Sequence, residues 1–200
     1  LNMQANQTQM ELIQAKCRDR FCQEDYVFIS AVLGHKHDEM SVEELLHDPD
    51  ARDIMLDEPV LLDVMMNHCD DLQISSRLYL YVILRKVMLD FDLNDRVLTD
   101  YLAEMLTIYL HSTKLQRPAV KLHPMGYLFN LTKRLRAADP ADHFPIRVHI
   151  GNYALFLLGV HPERLRSRSR ATATPKISFV ETLGVNNLVA AARCERAERM

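Results

Sequence analysis

Tight turns between strands depend on glycine, and this chain of 200 residues has five. Without residues that accept positive φ, a protein cannot make the many hairpins that a β-sandwich or barrel requires. Leu, Met, Ala, Arg and Glu are instead plentiful, and these favour the helix. The expected fold class is therefore all-α: a single-domain bundle of about eight to ten helices, on the order of the usual helix length for a chain this long.

Punctuation along the chain divides it into helices. A polar stretch over 3–20, with Met3, Met10 and Ile13 on a thin apolar stripe, is expected to be helical. A second helix is expected from Glu24 to Leu33, stopped at Gly34. Ser41 and Glu44 form a capping box for a short helix. Asp48-Pro49 and Asp57-Glu58-Pro59 each set proline behind an acidic cap, starting two more that end near Met55 and Asn67.

Ser75 or Ser76 then starts a helix to about Phe91 whose apolar residues run almost all round it, the mark of a buried helix. Asn94 is expected to cap a helix from Asp95 to about His111. Its polar face is Arg96, Asp100, Glu104, Thr107 and His111, assigned to water, with Arg96 and Asp100 as an i,i+4 pair. A helix over Met125–Ala138 follows, then a second largely apolar one from Pro145 to about Gly159, and a last one over Lys176–Arg196. The domain reading is an N-terminal, peripheral helical segment over 1–40, a main helical domain over 41–196 packed around the two apolar helices, and a basic loop over 164–174.

Charge is unevenly spread. Residues 1–100 hold nine Lys and Arg against twenty acids, whereas 101–200 hold fifteen against seven. Complementary fields between packed halves are the plain reading, and a charged partner is the other. Four cysteines are too few for a disulfide scaffold. No basic start leads into a small-residue cleavage site, and the longest apolar run, Tyr153–Val160, falls far short of the ~20 residues of a membrane span. A cytoplasmic protein is expected, with no membrane partner.

Leu78-Tyr-Leu-Tyr-Val-Ile-Leu-Arg85 with Asp95-Arg-Val-Leu-Thr-Asp-Tyr101, and Gly151-Asn-Tyr-Ala-Leu-Phe-Leu-Leu-Gly159 followed by Pro162-Glu163, resemble a group of uncharacterised all-helical bacterial proteins. The resemblance spans about 75–190 and implies a bacterial source and a helical domain. It carries no activity and no functional residue.

Motifs with chemistry mostly fail on geometry. Glu44-x-x-His47 has the spacing of a di-iron ligand pair, but no second copy exists. His35, His37 and Asp38 are weak metal candidates in a loop after Gly34. Cys17 and Cys22 would point about 140° apart on a helix. Nucleophile elbows, phosphate loops and dinucleotide fingerprints are missing, so no catalytic residue and no cofactor is assigned.

Arg85, Arg147 and Asn152 stand out because each lies in an otherwise apolar helix. A buried guanidinium must meet a carboxylate, carbonyls or a ligand anion. A structural pair with an acid is preferred over a ligand site. Arg164, Arg166, Arg168 and Arg170 could contact phosphates, but no aromatic residues interleave with them. Three functions remain. The leading one is a non-enzymatic interaction or regulatory module, pairing with another protein or with itself as a homodimer. The second is a small-molecule site or enzyme pocket around a buried arginine. Nucleic-acid binding through 164–170 is the least favoured.

Overall fold

The computed structural model describes residues 12–34, 46, 48–67, 72–115, 124–166 and 177–198. The fold is all-α, and no described residue is in a strand. Helices α1 (Gln23–Leu33), α2 (Pro49–Leu56), α3 (Pro59–Asn67), α4 (Ser76–Asp90) and α5 (Arg96–Leu115) are followed by α6 (Pro124–Ala137), α7 (His143–Val160), α8 (Pro162–Arg166) and α9 (Ile177–Glu198). None is long and apolar enough to cross a membrane.

The chain divides into two compact units, one over Ile13–Lys114 and one beginning at Leu115. The two apolar helices read from the sequence fall one in each: α4 in the first unit, α7 in the second. The boundary expected near residue 40 is not where the units divide. Nor is α1 peripheral, since Ile29 and Leu33 are fully buried in the first core beside Leu61, Met65, Leu78 and Tyr81. Each such side chain removed from water stabilises the fold by roughly 1.5–3 kcal/mol.

Local chemistry sets most helix starts. Asp48 accepts from the amides of Asp50 and Ala51, both at 2.9 Å, ahead of Pro49. Ser75 Oγ accepts from Leu78 N at 3.1 Å. Asp25, fully buried, joins two helix starts. It accepts from Cys22 N at the head of α1 and from both the amide and hydroxyl of Ser75 at the head of α4.

Three local expectations also differ from what is found. Residues 12–17 are not helical and 18–20 form a 3-10 turn. There the Arg18 amide donates to the Asp100 carboxylate at 3.0 Å, and Cys17 and Phe21 enter the core, so tertiary contacts replace the helix. Asp95, not Asn94, caps α5, accepting from Leu98 N at 2.9 Å. Residues 164–166 continue the short helix α8 instead of opening a loop.

In the second unit, α7 packs on α6 and, more extensively, on α9. The core there holds Leu128, Leu131, Ile146, Ile150, Leu157 and Val180. Gly151 lies where a Cβ would meet Leu188 Cγ at 2.4 Å, so its missing side chain admits α9.

Candidate functional site

Helix α5 decides the character of the first unit. Its polar residues recur every three or four positions and share one face. Given to water on the sequence pattern, the middle of that face is in fact buried: Asp100 is 4% exposed, Glu104 1% and Thr107 3%, while His111 stays exposed. On the apolar face Met105 and Tyr109 are buried, while Val97, at 65% exposure, and Ile108 face outward. The reason is supplied by distant arginines, which meet the carboxylates inside the unit.

Arg18 holds Asp100 through Nε at 2.9 Å and Nη2 at 2.8 Å, and also donates through Nη1 to Asp53. Its guanidinium carbon lies 5.6 Å from the Tyr81 ring centroid, a cation–π distance. Glu104 accepts from Arg20 Nη1 at 2.6 Å and from Arg77 through Nε at 2.8 Å and Nη2 at 3.1 Å. Arg96 does not pair with Asp100. It turns to Asp57, at 2.6 Å from Nη2, and to Asp53, at 3.4 Å from Nε.

Arg85 completes the lattice. It donates to both oxygens of Asp57, at 2.9 and 3.1 Å, and to Asn94 Oδ1 at 2.6 Å. The residue expected to cap α5 is thus occupied by Arg85. Arg85 Nη1 is enclosed and has no hydrogen-bond partner. Beside it lies a cleft of about 290 Å³ lined mainly by Leu56, Pro59, Leu62, Val82 and Leu89, with Asp57, Glu58, Arg85 and Lys86.

Electrostatics follow from these pairings. Burial alone would raise the Glu104 carboxyl, but hydrogen bonds and charge from Arg77 and Arg20 hold it below the ordinary range. Burial works against the charged Arg18, and its bonds to Asp100 and Asp53 more than offset that, so its pKa is raised. Asp57 raises Arg85 through its hydrogen bonds, against desolvation. Burial, with Asp100 and Glu104 nearby, pushes the Cys17 thiol up to about 12. Cys17 is therefore a protonated donor to Arg77 O at 3.6 Å, with no thiolate to act as nucleophile. Burial likewise raises Tyr81. The guanidiniums of Arg18, Arg20, Arg77, Arg85 and Arg96 face carboxylates that neutralise them locally, which suits a structural lattice better than an anion site.

Arg147 and Asn152 belong to the second unit, whereas Arg85 belongs to the first. Arg147 donates only weakly, to Asn187 Oδ1 at 3.5 Å, while Asn187 Nδ2 donates to Leu183 O at 2.8 Å. Asn152 is buried in α7. Nearby, the Tyr127 hydroxyl and His149 Nε2 share a hydrogen bond at 2.8 Å, and Tyr153 packs edge-on against Tyr127. Burial and the Arg134 charge lower the His149 pKa.

Among the described residues no cluster of three or more His, Cys, Asp and Glu could hold a metal ion. His35, His37, Asp38 and His47 lie outside the described residues, as do Arg168, Arg170 and the side chains of Arg164 and Arg166. Sequence reasoning missed Arg18, Arg20, Arg77, Asp53 and Asp57 as lattice members. The one signal available was the Cys17-Arg-Asp-Arg-Phe21 segment, where two arginines lie between two residues fit for a core, Cys17 and Phe21. Comparison with family models, curated proteins and solved structures finds no match to this chain.

Proposed function

We propose that this chain is a non-enzymatic helical interaction module that self-associates through the outward face of α5 and the α4–α5 turn. The observation that carries the reading is the inversion of α5. Its carboxylates are satisfied inside the unit, where Met105 and Tyr109 are also buried, and Val97, Leu98 and Ile108 are left facing water.

The exposed stripe continues into the turn. Phe91 is 74% exposed, and Val87, Leu93 and Leu98 are exposed with it. These residues lie close together because Leu93 N donates to Met88 O at 2.8 Å and Thr99 Oγ1 to Met88 Sδ at 3.3 Å. Asp92, at φ 57, takes the left-handed conformation that lets the turn close in so few residues, and aspartate tolerates it better than most. Contiguous exposed apolar surface of this kind marks interaction sites in soluble proteins.

A second copy is the occupant that the spacing favours. Val97, Tyr101 and Ile108 are separated by four and seven residues, the repeat of a helix–helix seam. An identical stripe on a twofold-related copy provides the complementary seam. Asp90, Asp92 and Asp95 flank it on a unit whose sequence, 13–114, carries ten Lys and Arg against twenty acids. Like charges then oppose an association driven by apolar burial, so salt strengthens it by screening. Free thiols at Cys17, Cys22 and Cys194 suit a reducing, cytoplasmic setting.

Sedimentation velocity tests the reading. The expected mass exceeds the 23.2 kDa of one chain and rises with concentration and salt. The V97S/I108S double variant is expected to sediment as a monomer with unchanged circular dichroism. A wild-type chain that stays monomeric at all concentrations and salts overturns the proposal.

A further inference from the structure

Two aromatic rings in the second unit are placed against the usual order of burial. On α6, Leu128 and Leu131 enter the core, while the larger Phe129 is 52% exposed. On α9, Val180 is fully buried and Phe179 is 44% exposed. These two rings come from different helices and lie side by side, centroids 6.4 Å apart and planes tilted by 37°. Aromatics of this size are ordinarily the better core residues.

Basic side chains share the helix faces that carry the pair. Lys133 and Arg136 follow Phe129 by four and seven residues, so all three fall within an arc of about 60° on α6, at ~100° per residue. Both are exposed. Arg193, also exposed, lies about 40° round α9 from Phe179 and about 21 Å along its axis. Glu181, the acid nearest to Phe179 along α9, points about 160° away round the helix. Residues 115–200 carry fourteen Lys and Arg against six acids.

We propose that Phe129 and Phe179, with Lys133 and Arg136, form a binding surface for single-stranded nucleic acid. An exposed aromatic platform beside cationic side chains is what a flexible polyanion with free base faces requires: bases stack on the rings and phosphates contact the cations. Phenylalanine offers no hydrogen bond to a base edge, so binding is indifferent to sequence. Stacked duplex bases cannot reach the rings, so single strands bind better than duplex. A membrane surface fits less well, since the apolar contribution is two rings and not the broad apolar face of an interfacial helix. The surface belongs to the second unit and its residues are not those of the α5 seam. It also needs none of Arg164, Arg166, Arg168 or Arg170.

The test uses the full chain and a fluorescein-labelled oligothymidylate of about 20 nucleotides, read by anisotropy from about 50 mM salt upward. The single strand is expected to bind more tightly than a duplex of the same length. F129A/F179A is expected to weaken binding about tenfold or more, the lower range of base–aromatic stacking. K133Q/R136Q should lower the slope of log affinity against log salt by about 1.4, at ~0.7 for each phosphate contact on a single strand. All four side chains are exposed, so unchanged thermal melting confirms that each variant is folded. No binding at about 50 mM salt overturns the proposal. So does equal binding of duplex that ignores the phenylalanines, which marks a general polycation. Loss of anionic-vesicle binding in F129A/F179A with oligonucleotide binding intact overturns it in favour of a membrane.

Discussion

Replacing Glu104 by Gln removes one charge from the centre of the lattice and almost no volume. Glu104 is 1% exposed and accepts from Arg77 twice and Arg20 once. Removing one partner of a fully buried pair typically costs about 3–5 kcal/mol. That is an upper bound here, because the Arg20 and Arg77 side chains are 46% and 31% exposed and can turn to water. The Arg20 bond then resembles a surface pair, worth about 0.5 kcal/mol. The bidentate Arg77 bond is charge-assisted and contributes about 1.5 kcal/mol. The expected loss for E104Q at pH 7 is therefore about 2 kcal/mol, the sum of those two contributions.

Native-state hydrogen exchange of the α5 amides measures this loss within the unit that contains Glu104. The sign of its pH dependence is fixed. The folded carboxyl is held below its ordinary value of 4.5, so its contribution is complete above that pH and disappears as pH falls through the folded value. Wild type and E104Q should thus differ at pH 7 and converge in acid. A difference below about 0.5 kcal/mol at pH 7, or one that survives once the carboxyl is protonated, refutes the reasoning.

Two further outcomes concern the second unit. Burial and the Arg134 charge hold the folded His149 below the 6.5 of the unfolded residue, so its contribution to stability is complete above that pH and is lost as pH falls through the folded value; thermal melts between about pH 5 and 7.5 should show this slope, and H149Q should lose it. G151A drives a Cβ into Leu188 and should destabilise by about 1–3 kcal/mol, while G151A/L188A recovers most of that in urea unfolding, and additive losses would rule out this contact as the cause.

Some of this architecture could be read residue by residue. Asp48 before Pro49, Ser75 before α4 and Gly34 after α1 act within a few residues of themselves, and the helices begin and end beside them. The apolar circumference of α4 likewise announced a buried helix. Where a local signal competed with a tertiary one, the local reading failed. Asn94 is a good cap by type, yet Arg85 takes its side-chain oxygen and Asp95 caps in its place. The polar stretch ending at residue 20 has helical composition, yet Arg18 spends its amide on Asp100, 82 residues away.

The orientation of α5 shows the same division most clearly. Its sequence determines that two faces exist, one charged and one apolar, because that follows from spacing alone. It does not determine that carboxylates of the charged face turn inward. That depended on Arg18, Arg20 and Arg77 arriving from other parts of the chain to neutralise Asp100 and Glu104. The pairing of Phe129 with Phe179, fifty residues apart, had no trace in the linear pattern either. Helix formation and capping are decided over a few residues, so the sequence alone determined them. Burial of charge is decided by the partner it meets, and only the tertiary structure brings the partners together.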